Sequence, residues 1–207
     1  EGGGIQSKSV AITQRFNKAS VLCQGQVVAS YAKQELPNYQ VFDERRYFTP
    51  GHQPCVFEVA GFKLGLLICE DAWFEAPAQK AREAGAQALL VLNASPFHVG
   101  KGLEREVQMS QRVKDCQLPL VYAHLVGGQD EVIFEGRSFA INADAQVVAR
   151  APAFQECLQY IDLESLGPTQ GVRLSGREIV PESAWEEDLW HALVLGIRDY
   201  LGKNGFP

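Results

Sequence analysis

The sequence predicts an α/β protein, with a sheet-rich core and helices over its outer faces. The main observation is a pair of unbroken apolar runs at 66–68 and 88–92, which are typical of strands buried on both faces, with a further buried strand expected at 120–126. Two stretches with helical features, roughly 77–84 and 103–116, separate these runs along the chain. Alternation of buried strands with helices is the pattern of an α/β core.

Short hairpins accompany the buried strands. Residues 19–23 and 26–33 are predicted to pair through a turn at Gly25, and 55–59 to pair with 62–69. The later expected elements are a loop at 127–131, a hairpin of 138–142 with 146–150, and an edge strand at 158–161.

The stretch between the first two hairpins, residues 34–48, is dense in polar and aromatic side chains and has no clean period. Such a stretch is usually a long loop that lies over a cleft. In the second predicted helix, we expect Leu103, Val107 and Val113 to lie along one side. Gly85 is placed to end the first helix.

The C-terminal part contains a glycine- and proline-rich segment, 164–181, which we interpret as an irregular linker. After it, residues 183–186 have the pattern of a capping box that opens a helix ending near Gly202.

The composition excludes several classes of protein. Of 207 residues, 46% are hydrophobic and 21% charged, and the net charge of −6 comes without a basic block, so a nucleic-acid partner is not expected. No apolar run is long enough for a membrane span, and no leader pattern indicates secretion. Five cysteines without a Cys-x-x-Cys pair fit a reducing compartment and argue against zinc. The four histidines show no metal spacing, and we expect a cytoplasmic protein.

Cys69 is the candidate nucleophile, because a buried strand ends at this thiol and is followed by the carboxylates Glu70 and Asp71. The alternative is that Cys69 simply fills the core, as free cysteines often do. Lys33 and Ser95 also stand where predicted strands open into polar loops, the place where ligands bind in open α/β sheets.

The motifs around these residues resemble a known superfamily. Lys33-x-x-Leu36-Pro37 followed by Ile68-Cys69-Glu70-Asp71 is similar to the lysine and cysteine motifs of the carbon–nitrogen hydrolases, or nitrilases. Four further segments, in the same order along the chain, resemble the glutamine-dependent NAD+ synthetases. The segments are 31–44, 93–101 and 125–130, which resemble the glutaminase domain, and 192–207, which resembles the opening of the synthetase half.

The resemblance implies a nitrilase-like αββα sandwich and a Cys-Glu-Lys triad that hydrolyses the side-chain amide of glutamine. Cys69 would attack as a thiolate, and Lys33 would stabilise the oxyanion together with the backbone N–H of Glu70. Glu44 resembles a supporting carboxylate near the lysine. Its alternative role is an ordinary ion pair with Arg45 or Arg46.

The resemblance also implies which residues bind the substrate. These are Tyr39, Ser95, Lys101 and Glu70, of which the first three would hold the α-amino and α-carboxylate groups of glutamine. The alternatives for those three are a packed aromatic ring, a turn serine and a lysine at a helix entry.

The same likeness divides the chain into 1–163, a glutamine amidotransferase domain truncated at its N-terminus, the linker 164–181, and 182–207, the start of a synthetase domain. No cofactor is expected in this segment, while ATP and Mg, with deamido-NAD+, would belong to the synthetase domain. The family's base glutamate lies upstream of the lysine, where Glu1 is the one carboxylate. We therefore expect an internal fragment that is inactive alone and, with exposed strand edges, a homo-oligomer.

Two other readings remain open at this point. One is a free-standing hydrolase of the superfamily that acts on another amide or a nitrile. The other is a non-catalytic module that keeps the fold without the chemistry, for which the missing base glutamate is the best argument.

Overall fold

The computed structural model describes residues 14–167 and 171–206. The strands are β1 (Lys18–Cys23), β2 (Gln26–Ala32), β3 (Val56–Val59), β4 (Phe62–Ile68), β5 (Ala88–Asn93), β6 (Leu120–His124), β7 (Val126–Gln129), β8 (Val132–Glu135), β9 (Phe139–Ile141), β10 (Val147–Arg150), β11 (Ile161–Ser165) and β12 (Val172–Gly176). The helices are α1 (Glu44–Tyr47), α2 (Glu75–Glu83), α3 (Lys101–Cys116) and α4 (Trp185–Lys203), with a 3₁₀ turn at Cys69–Trp73.

A six-stranded sheet in the order β10-β9-β6-β5-β4-β3 forms the centre of the protein. Strands β4, β5 and β6 are parallel, in a register that pairs Ile68 with Leu92 and Asn93 with His124. Their carboxyl ends therefore meet at one edge of the sheet, where Cys69 follows β4. Ligands bind at this edge in open α/β sheets.

Helices α2 and α3 cover one face of this sheet. Gly65 allows the close approach of α2, because a Cβ there would lie 3.1 Å from the side chains of Ala81 and Ala86. Leu67, fully buried on the same strand, belongs to one apolar core with Met109 of α3. Burial of side chains of this size contributes about 1.5–3 kcal/mol each.

The hairpin β11–β12 packs on the sheet through Val172 and Leu174, which contact Ala140 and Ala149. The prediction of an irregular linker at 164–181 is therefore wrong for the residues that form β12. Gly167 and Gly171 adjoin the two strands without preventing their pairing. Helices α2 and α3, the central sheet and the β11–β12 hairpin follow the α, β, β order of the predicted sandwich. The predicted α/β class is confirmed.

Both early hairpins are confirmed, with Gly25 at φ +77° in the first turn and Gly61 at φ +83° in the second. The loop predicted at 127–131 is wrong, because β7 pairs with β8 in a tight hairpin there. Polar and glycine residues masked this pairing, since β7 buries little apolar surface.

The predicted apolar side of α3 is wrong for two of its three residues. Leu103 and Val107 are 51% and 63% exposed, while Arg105 and Arg112 are buried. The helix turns its arginines inward because each has buried partners, which the apolar period cannot reveal.

Helix α4 packs on β7 and β8 and begins after Ala184 without a side-chain cap. The predicted capping box is therefore absent, since Ser183 donates its hydroxyl to Asp188 instead. Gly128 of β7 donates its N–H to Asp199 of α4 at 2.7 Å. None of the described helices combines the length and apolar character needed to cross a membrane.

Candidate active site

Cys69 stands at the sharp bend between β4 and the 3₁₀ turn. Its φ of +47° is left-handed, a conformation that costs a non-glycine residue about 1–2 kcal/mol. Backbone strain of this kind concentrates at functional sites, where the surrounding structure enforces it. The sequence carried no signal for it, because a cysteine in a glycine-like conformation is unusual.

Lys33 and Glu44 form a close ion pair beside the cysteine. The Lys33 side chain, only 1% exposed, donates from Nζ to Glu44 Oε1 at 2.6 Å. Asn17 donates to the other Glu44 oxygen at 3.4 Å. Glu44 opens α1 in the segment predicted as a loop over a cleft, so this segment does fold over the site.

The alternative partners proposed for Glu44 are engaged elsewhere. Arg46 pairs with Asp43 at 3.6 Å, and Arg45 donates to the Leu36 carbonyl at 3.1 Å. The structure therefore joins Glu44 to the lysine rather than to either neighbouring arginine.

Cys69 borders two cavities. The wide cavity, of about 500 Å³, is shared with Lys33, Glu44, Asn93 and His124. The narrow cavity, of about 60 Å³, also borders Cys69. Its lining includes all four residues predicted to bind substrate, which are Tyr39, Glu70, Ser95 and Lys101, together with Trp73.

Two opposite charges, Glu70 and Lys101, line the narrow cavity. Tyr39 donates its hydroxyl to Glu70 Oε1 at 2.7 Å. Lys101 Nζ lies 4.4 Å from the centre of the Trp73 ring, and 2.9 Å from Glu104. An anion and a cation that line one small space match a zwitterionic ligand.

Ser95 is held from behind by two donors. Arg105 Nη2 reaches its Oγ at 2.8 Å and Asn93 Nδ2 at 3.1 Å. A hydroxyl has two acceptor lone pairs, so both are occupied and the Ser95 O–H is left to donate. Sequence reasoning missed Arg105, whose buried pairing with Glu135 of β8 allows it to sit under this loop.

The electrostatics of the site favour a protonated thiol. Burial raises the pKa of Cys69 to about 11, with Lys33 lowering it and the Glu70 and Glu44 charges raising it. Burial together with Glu70 raises the pKa of Tyr39, so its hydroxyl stays a donor. Burial lowers the pKa of His124, whose ring Nδ1 lies 2.8 Å from the Leu125 carbonyl oxygen. A nucleophilic Cys69 therefore needs a proton acceptor.

Within residues 14–167 and 171–206, the carboxylates that act on the Cys69 pKa are Glu44 and Glu70. Each already accepts a hydrogen bond, from Lys33 and from Tyr39 respectively. The described part of the chain thus brings a thiol, a lysine ammonium and a small cavity with charged and hydroxyl groups together, and both nearby carboxylates already accept hydrogen bonds.

Comparison with known proteins extends this picture. The chain is 41% identical over 192 residues to the glutamine-dependent NAD(+) synthetase of Acinetobacter baylyi, a match that covers 93% of the chain and 35% of that protein. It is 39% identical over 204 residues to the enzyme of the same name from Rhodobacter capsulatus, covering 98% of the chain and 36% of the relative. The chain thus spans about a third of the length of these relatives.

Solved structures give the same grouping. The glutamine-dependent NAD+ synthetase of Acinetobacter baumannii, determined with ADP, superposes with a TM-score of 0.86 at 39% identity, over 94% of the chain and 36% of that structure. An amidase from Nesterenkonia, modified covalently at its active-site cysteine by fluoroacetamide, superposes with a TM-score of 0.61 at 28% identity, over 67% of the chain and 52% of the amidase. These neighbours agree with the predicted nitrilase-like sandwich. Residues 3–170 match the carbon–nitrogen hydrolase family, and the chain belongs to that family.

Proposed function

We propose that the chain hydrolyses the side-chain amide of glutamine, with Cys69 as the nucleophile. The observation that carries this proposal is the narrow cavity, in which Cys69 shares one small space with Glu70, Ser95 and Lys101. A primary amide on a short zwitterionic amino acid presents complementary groups to such a cavity.

Recognition divides among three side chains. The Glu70 carboxylate suits the α-ammonium group of glutamine, and the Lys101 ammonium suits its α-carboxylate. Ser95, which is left to donate, supports the same carboxylate rather than the ammonium. With the α-carbon groups held in this way, the carboxamide is directed toward Cys69.

The reaction then proceeds in two steps. The Cys69 sulfur attacks the carboxamide carbon, the thiol proton goes to a base, and the oxyanion is stabilised by the Lys33 ammonium. The carbon–nitrogen bond breaks as the nitrogen takes a proton, so ammonia leaves and a thioester forms. Water then attacks the thioester and releases glutamate and the free thiol.

Glu44 supports Lys33 in this scheme. Its 2.6 Å contact holds the ammonium in place beside the cysteine, and a charged lysine cannot also accept the thiol proton. Because Glu44 and Glu70 already accept hydrogen bonds from Lys33 and Tyr39, the proposal assigns the base to a group outside residues 14–167 and 171–206.

The ammonia would serve the ATP-dependent conversion of deamido-NAD+ to NAD+. This wider role rests on relatives named glutamine-dependent NAD(+) synthetase, of whose length the chain spans about 35%. Residues 182–207 would then begin the synthetase domain, which would bind ATP and Mg. The division at 163 and 181, a cytoplasmic location and a homo-oligomer stay predictions.

A simple amidase is the second candidate, supported by the Nesterenkonia neighbour with its modified cysteine. The two functions differ in what the narrow cavity must hold, since a small amide lacks the charged groups that Glu70 and Lys101 would bind.

Affinity labelling separates these candidates. A chloroketone analogue of glutamine should label Cys69 before the exposed Cys23 and Cys157 and the buried Cys55 and Cys116, as read by peptide mapping. The matched control is chlorobutanone, which carries the same chloroketone but lacks the α-ammonium and α-carboxylate groups, and it should label Cys69 more slowly. Equal labelling of the five cysteines would remove Cys69 as the nucleophile. Fluoroacetamide labelling as fast as the glutamine analogue would favour the amidase.

A further inference from the structure

Asp71 lies two residues after the candidate nucleophile, inside the 3₁₀ turn, and is fully buried. A carboxylate removed from water this completely is costly unless its oxygens receive hydrogen bonds. Asp71 lines neither the wide nor the narrow cavity, so it has no place at the substrate.

Four donors surround this carboxylate. Oδ1 accepts from the backbone N–H groups of Gln34 at 2.9 Å and Glu35 at 2.8 Å. Oδ2 accepts from the N–H of Ile68 at 3.0 Å and the hydroxyl of Tyr31 at 2.9 Å. A carboxylate has about four acceptor sites, and all of them are used here.

The donors belong to the two segments that carry the proposed chemistry. Gln34 and Glu35 follow Lys33 directly, and Ile68 precedes Cys69. Strand β2 pairs with β1 in its own two-stranded sheet, whereas β4 belongs to the six-stranded sheet. No ladder of the described strands therefore ties the lysine to the cysteine, and Asp71 supplies this connection.

We infer that Asp71 is the positioning residue that sets the Lys33 ammonium against the Cys69 sulfur and holds Cys69 in its left-handed bend. The inference rests on the proposed function, because it assumes that Lys33 and Cys69 act together. Asp71 acts through the backbone on both sides and never meets the substrate. An acceptor-only group is required, since every neighbour donates.

Asp71→Asn and Tyr31→Phe form a matched pair for the test. In D71N, the amide oxygen can still accept from Gln34 and Glu35, but the NH₂ group cannot accept from Ile68. In Y31F, the three backbone bonds to Asp71 remain and one hydroxyl donor is lost. Only the first change releases the bend at Cys69.

The readout is a ratio of two labelling rates at Cys69. The glutamine chloroketone needs Lys33 at its carbonyl oxygen, whereas a small neutral methyl thiosulfonate needs only the thiolate. Misplacement of catalytic groups by about 1 Å can cost up to about a hundredfold. We expect D71N to lower the chloroketone-to-thiosulfonate ratio by about ten- to a hundredfold, and Y31F to leave it within about twofold.

An unchanged ratio in folded D71N, or an equal fall in both variants, overturns the inference. If D71N does not fold, hydrogen exchange in the wild-type protein decides. The amides of Gln34, Glu35 and Ile68 should be protected and should exchange through one common opening, and unprotected Gln34 and Glu35 would overturn the inference. Failure of the proposed function shows separately, as equal labelling of wild-type Cys69 by the glutamine chloroketone and by chlorobutanone.

Discussion

At the scale of single residues, the site is a set of side chains whose hydrogen-bonding capacity is already assigned. Ser95 has both lone pairs filled, Lys33 is paired with Glu44, and Tyr39 is paired with Glu70. The hydrogen bonds that each side chain can still form with a ligand are those that its neighbours do not already use. Lys101 and the Cys69 thiol give the two predictions that belong to this scale.

Lys101→Ala should weaken binding of a glutamine analogue. Loss of a charge-assisted hydrogen bond costs about 1.5–3 kcal/mol, and the lower end applies because Glu104 already shares the Lys101 charge. We expect the half-saturating concentration of the glutamine chloroketone to rise about tenfold, with a smaller effect on its maximal labelling rate. Lys114→Ala, an exposed lysine on the same helix, is the control. An unchanged concentration dependence would make Lys101 a lysine at a helix entry.

The raised pKa of Cys69 predicts an unusual pH profile. A neutral alkylating agent reacts with the thiolate, whose fraction rises about tenfold per pH unit below the pKa. With a pKa of about 11, alkylation of Cys69 should still be increasing at pH 10, whereas a small free thiol has levelled off near pH 9. Peptide-resolved rates over this range test the prediction, and a plateau below pH 9 would contradict it.

At the scale of elements, the hairpin β7–β8 connects α4 to the loop that carries Ser95. On one side, Gly128 donates to Asp199 of α4. On the other, the Ile133 carbonyl accepts from the N–H of Phe97, and Glu135 pairs with Arg105 beneath Ser95. Helix α4 buries Ala192 and Leu195 yet leaves Trp190, Leu193 and Ile197 more than half exposed. The apolar contact of α4 with the rest of the protein is therefore limited, and these polar contacts add to it.

Asp199→Ala should loosen α4 without disturbing the central sheet. A hydrogen bond to a charged group contributes about 1.5 kcal/mol or more, so amide exchange in α4 should accelerate about tenfold. Glu187→Ala, exposed on the same helix, is the matched control.

The same contact predicts how α4 responds to acid. The Gly128 N–H holds the pKa of Asp199 below its ordinary value, so its contribution is present above the unfolded-state pKa and is lost as the pH falls through the folded one. In the wild-type protein, α4 should therefore loosen as the pH falls through the folded-state pKa of Asp199. Exchange in α4 that is the same in D199A and wild type would argue against both statements.

At the scale of the whole molecule, the central sheet carries Cys69 and the two-stranded β1–β2 sheet leads to Lys33, while both described carboxylates beside the thiol already accept hydrogen bonds. We therefore predict that the purified chain is labelled slowly at Cys69 and releases no sustained ammonia from glutamine. General-base catalysis contributes about 10²–10⁴-fold, and the reaction needs a proton moved at each of its two steps. Steady ammonia production that Cys69→Ala abolishes would show that Glu44 or another group serves as the base.

The parts that could be predicted from the sequence are those with local signals. The apolar runs at 66–68 and 88–92 are found in β4 and β5, and the glycine turns at Gly25 and Gly61 mark real hairpins. The family resemblance identified Tyr39, Ser95 and Lys101 as candidate binding residues, and the structure places them around one cavity. The roles of Arg105 and Asp71 were not predicted. A buried charge is stabilised by partners far along the chain, which are Glu135 for Arg105 and Gln34 for Asp71.

The position of Cys69 between the wide and narrow cavities has a consequence for the order of events. On the proposed function, an acyl group anchored through Glu70 and Lys101 would occupy the narrow cavity, and the departing nitrogen and the incoming water would use the wide cavity. The acyl group on the one hand, and ammonia and water on the other, would then occupy different cavities. Ammonia can leave while the glutamyl group is still held, and saturating glutamate should block entry of the next glutamine without blocking the exit of ammonia.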